Sequence, residues 1–267
     1  MVRRKWHIDA ALRFWRLTHW AKRLGRYAPF SRLAAPVASE DSFKASFVPV
    51  DEFIEIPPSS VAPKQLLVDY VTRASHRRII HECACRAGEG CRSHPVDLGC
   101  ILLGEGARDV HPDVGRSASV QEALEHIERA LDSGLLPLVG HIRIDTVIFG
   151  IKDFSRFLTV CFCCRCCCVV RSEMGGLVDA YPRSLVKLEG IHVEVGEGCA
   201  GCGVCVPVCP VGNITLDGPT ARIGDRCLGC GTCARVCERG AIEVRIEPGA
   251  DYQRELARRI EAGVDIG

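Results

Sequence analysis

Eight cysteines in the C-terminal third of the chain are spaced to hold metal. Cys199-Ala-Gly-Cys202-Gly-Val-Cys205-Val-Pro-Val-Cys209-Pro210 reads C-x2-C-x2-C-x3-C-P. Cys227-Leu-Gly-Cys230-Gly-Thr-Cys233-Ala-Arg-Val-Cys237 repeats it, with Glu238 in place of the proline. Three thiolates at two-residue spacing can wrap three corners of an iron–sulfur cubane. The fourth begins a short helix pointing away and ligates the other cluster. The expected sets are Cys199, Cys202, Cys205 and Cys237 for one [4Fe–4S] cluster, and Cys227, Cys230, Cys233 and Cys209 for a second. Gly201, Gly203, Gly229 and Gly231 would let backbone N–H groups approach the sulfurs and help set the potential. Paired C-x2-C units also bind zinc, but two full four-cysteine repeats favour iron.

On these residues the stretch His192–Ile246 resembles the bacterial-type ferredoxin with two [4Fe–4S] clusters. The resemblance implies a pseudo-twofold fold with short strands near His192–Val195 and Ile242–Ile246 and a hairpin around Leu216–Ile223. It also implies one-electron transfer at low potential.

The other ten of the eighteen cysteines fall in two groups. Cys83, Cys85, Cys91 and Cys100 give C-x-C-x5-C-x8-C, enough for a third iron–sulfur cluster. Zinc is the competing reading at 83–100, with His81 or His94 able to replace a cysteine, and reduced structural thiols are another. C-x-C crowds two thiolates, which suits a metal and strains a disulfide. Cys161, Cys163, Cys164, Cys166, Cys167 and Cys168 form a denser run. If extended, it puts Cys161, Cys163 and Cys167 on one face and Cys164, Cys166 and Cys168 on the other. A lone cysteine behaves as a small hydrophobe, but six thiols in eight residues call for chemistry. Arg165 would favour thiolates. The run reads as a fourth cluster, sharing ligands with the 83–100 group, or as a redox-active thiol site. The arrangement as a whole resembles a group of uncharacterised ferredoxin-containing proteins of anaerobes, a likeness of architecture that brings no substrate with it.

The elements that must position these groups are legible in part. The fold class expected is α+β: an N-terminal mixed α/β cysteine-rich domain followed by a two-cluster ferredoxin-like domain. Residues 1–35 carry nine Lys/Arg against Asp9 alone, and all three tryptophans (Trp6, Trp15, Trp20). They read as a basic N-terminal helical arm, with a helix over 5–25. Residues 36–172 form the cysteine-rich domain, 173–190 a linker, 191–248 the ferredoxin domain and 249–267 a C-terminal helix. Within the second unit we expect a short strand at Ser46–Val50 and a helix whose first turn holds Pro63 and whose apolar face is Leu66, Leu67, Tyr70, Val71 and Ala74. A strand follows at Ile79–Ile80. Ser119 and Glu122 form a capping box for a helix over 119–133. Strands are expected over Leu138–Ile144 and Phe157–Phe162, and a last helix over Tyr252–Ile260.

The composition narrows the function. Net charge is +1 and no stretch of eighteen apolar residues exists, so neither a spanning helix nor nucleic-acid binding is expected. Arg3-Arg4 is followed by no apolar run, so the cysteines should meet a reducing cytoplasm, where ligation is the better reading. No G-x-G-x-x-G follows a strand and there is no phosphate loop, so a nucleotide site is unsupported. The reading is an iron–sulfur electron-transfer protein with a redox partner protein. Residues 1–35 would dock on an acidic protein or an anionic membrane surface, peripheral to the inner face of the membrane. The alternative is an iron–sulfur reductase whose 161–168 run reduces a substrate such as a disulfide.

Overall fold

The computed structural model describes residues 5–10, 39–50, 54–55, 63–172, 183–260 and 263–267. The architecture is α+β. Six strands make one antiparallel sheet in the order β1 (Phe43–Phe47), β6 (Leu136–Ile142), β7 (Leu158–Cys163), β4 (Ile101–Leu103), β3 (Arg77–Ile80), β5 (Gly115–Ser117). Period-two alternation gives the sheet two covered faces. Ile79, Ile101, Leu103, Leu158, Val160 and Phe162 point into the main core. Ile80, Leu102 and Phe157, one residue out of phase, join a second cluster with Val110, Phe149 and Ile151.

The main face is closed by helices Pro63–Arg73 and Val120–Asp132. The first buries Pro63, Leu66, Leu67, Tyr70 and Val71, the face expected from its spacing. In the second, Ser119 and Glu122 complete the capping box from both sides. Here Ala123, His126, Ile127 and Ala130 are buried, while Leu124 and Leu131 pack at the margin.

Several expectations shift. β1 lies three residues before the strand expected at Ser46–Val50. It pairs with β6 through Phe47↔Leu138 and stops beside Pro137, which has no N–H to continue the ladder. β6 ends at Ile142; Ile144 belongs to the helix Arg143–Phe149, closed by Gly150 at φ +76°. Residues 5–10 are helical, and Lys5 pairs with Glu82 at 2.7 Å, beside Cys83. The rest of the arm, residues 1–4 and 11–35, and with it the rest of the helix over 5–25, lies outside the described residues, as does most of the linker (173–182).

The C-terminal part forms a hairpin of β9 (Ile214–Asp217) and β10 (Thr220–Ile223). A separate three-stranded sheet has the order β2 (Ile54–Glu55), β11 (Ile242–Ile246), β8 (Ile191–Val195). β2 comes from the N-terminal half and runs parallel to β11, and Leu185 bridges Ala45 of β1. The last helix, Tyr252–Ile260 as expected, buries Leu256 and Ile260. One hydrophobic core therefore runs from the six-stranded sheet into the cysteine repeats, taking in Cys163, Cys164, Cys168, Cys205, Cys230 and Cys233.

Candidate metal centres

In the C-terminal repeats each cysteine recurs 28 residues later, and the backbone repeats with it. Cys199, Cys202, Cys205 and Cys237 line one cavity with Ala221 and Ile242. Cys209, Cys227, Cys230 and Cys233 line a second with Ile214, Ile223 and Leu228. The fourth cysteine of each repeat thus faces the cavity of the other. The short helix expected to begin at the fourth cysteine instead carries the third. It spans Thr232–Arg235, holds Cys233 and ends before Cys237, and turns replace it at 204–208.

Backbone N–H groups reach the sulfurs of equivalent cysteines in the two repeats. Asn213 N donates to Cys209 Sγ and Ala241 N to Cys237 Sγ, both at 3.3 Å. Ala221 N donates to Cys199 Sγ at 3.3 Å and Gly229 N to Cys227 Sγ at 3.4 Å. The N–H groups of Ala221 and then Gly201 hold the Cys199 thiol below its ordinary range, since they stabilise the thiolate. Burial pushes Cys205 and Cys227 up and Cys233 up to about 12. Gly201 has φ +61°, and a Cβ there would lie 2.6 Å from the Pro219 carbonyl oxygen. A cysteine-lined cavity fed by N–H donors and closed by apolar side chains fits an iron–sulfur cubane, which supplies reversible one-electron chemistry.

The ten upstream cysteines meet off one end of the six-stranded sheet. β3 runs out into Cys83, which caps the helix Ala84–Glu89 holding Cys85. That helix ends at Gly90, φ +66°, which turns the chain so that Cys91 follows. Cys100 precedes β4; Cys161 and Cys163 end β7. Gly99 sits where a Cβ would run into the Ile80 carbonyl, so glycine is what lets β4 start against β3. The run 161–168 is extended only to Cys163 and then turns over 165–167. The two-face arrangement expected for it is therefore replaced. The turn folds Cys164, Cys166 and Cys167 together opposite Cys91, and these four sulfurs all lie within 4.8 Å of one another. Cys91 Sγ and Cys166 Sγ are 3.6 Å apart.

Of the remaining six thiols, Cys83, Cys163 and Cys168 are buried and Cys85, Cys100 and Cys161 half-buried. The neighbouring thiol of Cys85 raises Cys83, that of Cys168 raises Cys85 and that of Cys163 raises Cys168; with burial these hold the three thiols well above their ordinary range. Cys100, just before β4, and Cys161 of β7 have sulfurs 3.3 Å apart. Burial alone would raise Cys91, but the N–H groups of Ser93 and His94 and the thiols of Cys167 and Cys166 outweigh it and bring Cys91 to about 7. The four cysteines of 83–100 are thus divided among partners in the 161–168 run. His81 and His94 each contact a backbone carbonyl, of Pro112 at 3.0 Å and Ser133 at 3.1 Å.

Arg86 is fully buried between these groups. Its guanidinium donates to the Phe162 carbonyl at 2.8 Å and to the Leu98 carbonyl. Among the described residues no carboxylate pairs with it, and its Nε has no partner. Burial opposes its charge, yet Cys83, Cys100 and Cys164 around it leave the charged form favoured on balance. A buried cation facing thiols fits a site that becomes anionic when its sulfurs ligate metal.

Residues 198–241 match the family model of the 4Fe-4S dicluster domain. This stretch is a ferredoxin-type domain, and the chain is an iron–sulfur protein. Searches of curated proteins and of solved structures gave no match. Among the described residues no helix is long and apolar enough to cross a membrane.

Sequence reasoning missed Arg86 and Arg171 as parts of the site. Arg171, also buried, donates to the Val208 carbonyl at 3.3 Å. Only the position of Arg86 directly after Cys85 could have flagged it; nothing marks Arg171.

Proposed function

We propose that this chain is an electron-transfer protein whose ferredoxin-type domain carries two [4Fe–4S] clusters. One is held by Cys199, Cys202, Cys205 and Cys237, the other by Cys209, Cys227, Cys230 and Cys233. The observation that carries the reading is the pair of cavities, each lined by three cysteines of one repeat and the fourth of the other. A third iron–sulfur centre uses Cys83, Cys85, Cys163 and Cys168. Its support is the contact between these thiols and the buried Arg86 beside them. The role of the protein is then to hold, insulate and tune, and a partner protein delivers or takes the electron.

A second reading, a reductase acting on a disulfide, is favoured by one observation, the Cys100–Cys161 pair at 3.3 Å. Two electrons and two protons would pass from that dithiol to the substrate disulfide, leaving a Cys100–Cys161 bond that two one-electron transfers reopen.

Iron analysis and EPR of anaerobically purified protein test the main reading. About twelve irons per chain are expected, eight of them in the ferredoxin-type domain. Fewer than about eight, or no cluster signal on reduction, overturns it. Exchanging Cys100 and Cys161 for serine separates the readings. Unchanged electron delivery to acceptors supports the carrier; loss of disulfide reduction supports the reductase.

A further inference from the structure

We propose that Cys91, Cys164, Cys166 and Cys167 bind a single tetrahedral metal ion, zinc, and not a cubane. The argument is one of size. Four thiolates about 2.3 Å from one zinc ion stand roughly 3.8 Å from each other. A cubane puts four irons and four sulfides between its thiolates and must hold them further apart. The four sulfurs here all lie within 4.8 Å of one another, and Cys91 and Cys166 are at 3.6 Å. The ferredoxin-type domain supplies an internal ruler. Its eight cysteines surround two cavities, and among the described residues no three of their sulfurs come as close.

The local chain is built for this geometry. Gly90 in the left-handed region swings Cys91 out of the helix Ala84–Glu89. The turn after β7 brings three sulfurs from four consecutive positions to the same point. Cys167 N donates to Cys164 Sγ at 3.3 Å, a bond that steadies a ligating thiolate. Cys164 is buried, Cys91 and Cys167 are half-buried and Cys166 is exposed, so the site reaches the surface through Cys166. Four soft thiolates in tetrahedral array with no fifth position make a closed structural site.

Zinc does not change oxidation state, so this site is a clamp. It joins two segments far apart in sequence, and each also carries other thiols: Cys85 and Cys83 lie on one side of the joint, Cys163 and Cys168 on the other. The inference goes beyond the electron-transfer reading and can fail alone, because zinc and iron are measured separately.

The test is metal analysis with zinc K-edge absorption spectroscopy on the full-length protein purified anaerobically. One zinc per chain with four sulfur neighbours at about 2.3 Å is expected. Cys166→Ser is the gentlest variant, since that side chain is exposed. It should lower zinc occupancy severalfold and leave the EPR of the ferredoxin-type domain unchanged. Three results overturn the proposal: no zinc in the wild-type protein, a single iron in the same place, or loss of about four irons in Cys166→Ser. The absorption spectrum needs no variant, so a poorly folding mutant does not blunt the test.

Discussion

Arg171 donates to the carbonyl oxygen of Val208 at 3.3 Å, joining the short helix Val169–Ser172 that follows Cys168 to the residue that precedes Cys209. The guanidinium is buried and its Nε has no partner. Arg171→Met should cost about 1–3 kcal/mol through the lost bond to Val208. Calorimetry should show Tm lower by several degrees, with the iron content intact. A buried positive charge also favours the reduced state nearby. Voltammetry should therefore show one midpoint, that of the centre served by Cys209, move to more negative potential. Midpoints that all stay in place would mean Arg171 only packs.

Arg86 makes a stronger claim because it is surrounded by thiols and lacks a carboxylate. With metal bound, Cys83 and its neighbours become thiolates, and the Arg86 guanidinium is a buried cation beside them. Removing one partner of a buried ion pair typically costs about 3–5 kcal/mol. Arg86→Met should lose about four irons and keep the eight of the ferredoxin-type domain. Arg86→Lys keeps the charge but cannot reach both the Phe162 and Leu98 carbonyls, so its iron content should fall between the two. Full iron in Arg86→Met would remove the case for an anionic centre there.

What the sequence shows and hides follows from the range of the forces involved. Local signals held up. The Ser119–Glu122 capping box, the Leu66/Leu67/Tyr70/Val71 stripe and the 28-residue recurrence of the cysteines are each visible within one window. The grouping of the upstream cysteines was not, because it is decided by strand register. Pairing Ile101 with Val160 is what sets Cys100 opposite Cys161. The turn at 165–167, not the pattern of the run, sends three sulfurs towards Cys91. β4 and β5 are three residues each and too short to leave a periodic trace. Buried arginines read as surface charge until a fold surrounds them.

The glycine at 201 gives a local test with its own control. Gly201 and Gly212 have nearly the same φ, +61° and +59°. Alanine in the left-handed region costs about 1–2 kcal/mol at either place. A Cβ at 201 also meets the Pro219 carbonyl oxygen at 2.6 Å, whereas nothing lies within 4 Å of one at 212. Gly201→Ala should therefore lose the iron held near Cys199 and Cys202. Gly212→Ala should keep all of it with a slightly lower Tm. Equal iron in the two variants would show that the approach to Pro219 is not a constraint on the site.

The pH response of the scaffold can be read at His141, away from the cysteines. Its Nε2 donates to the Phe154 carbonyl at 2.5 Å, and its ring stacks on that of Phe154 at 3.6 Å. Burial is the main cause that lowers its pKa from the ordinary 6.5; the nearby charges of Lys44 and Arg143 act the same way, and the Phe154 carbonyl opposes them. The unfolded chain thus takes up a proton at higher pH than the folded one. The stability contributed by neutral His141 is present above pH 6.5 and is lost as pH falls towards the lower folded value. His141→Gln can still donate to the carbonyl but does not titrate. Between pH 7 and pH 5.5 the wild-type Tm should fall more than that of the variant. His126, also buried and also lowered chiefly by burial, leaves a residual slope in both proteins. Parallel Tm curves for the two would mean that His141 is protonated equally in both states, against the burial seen here.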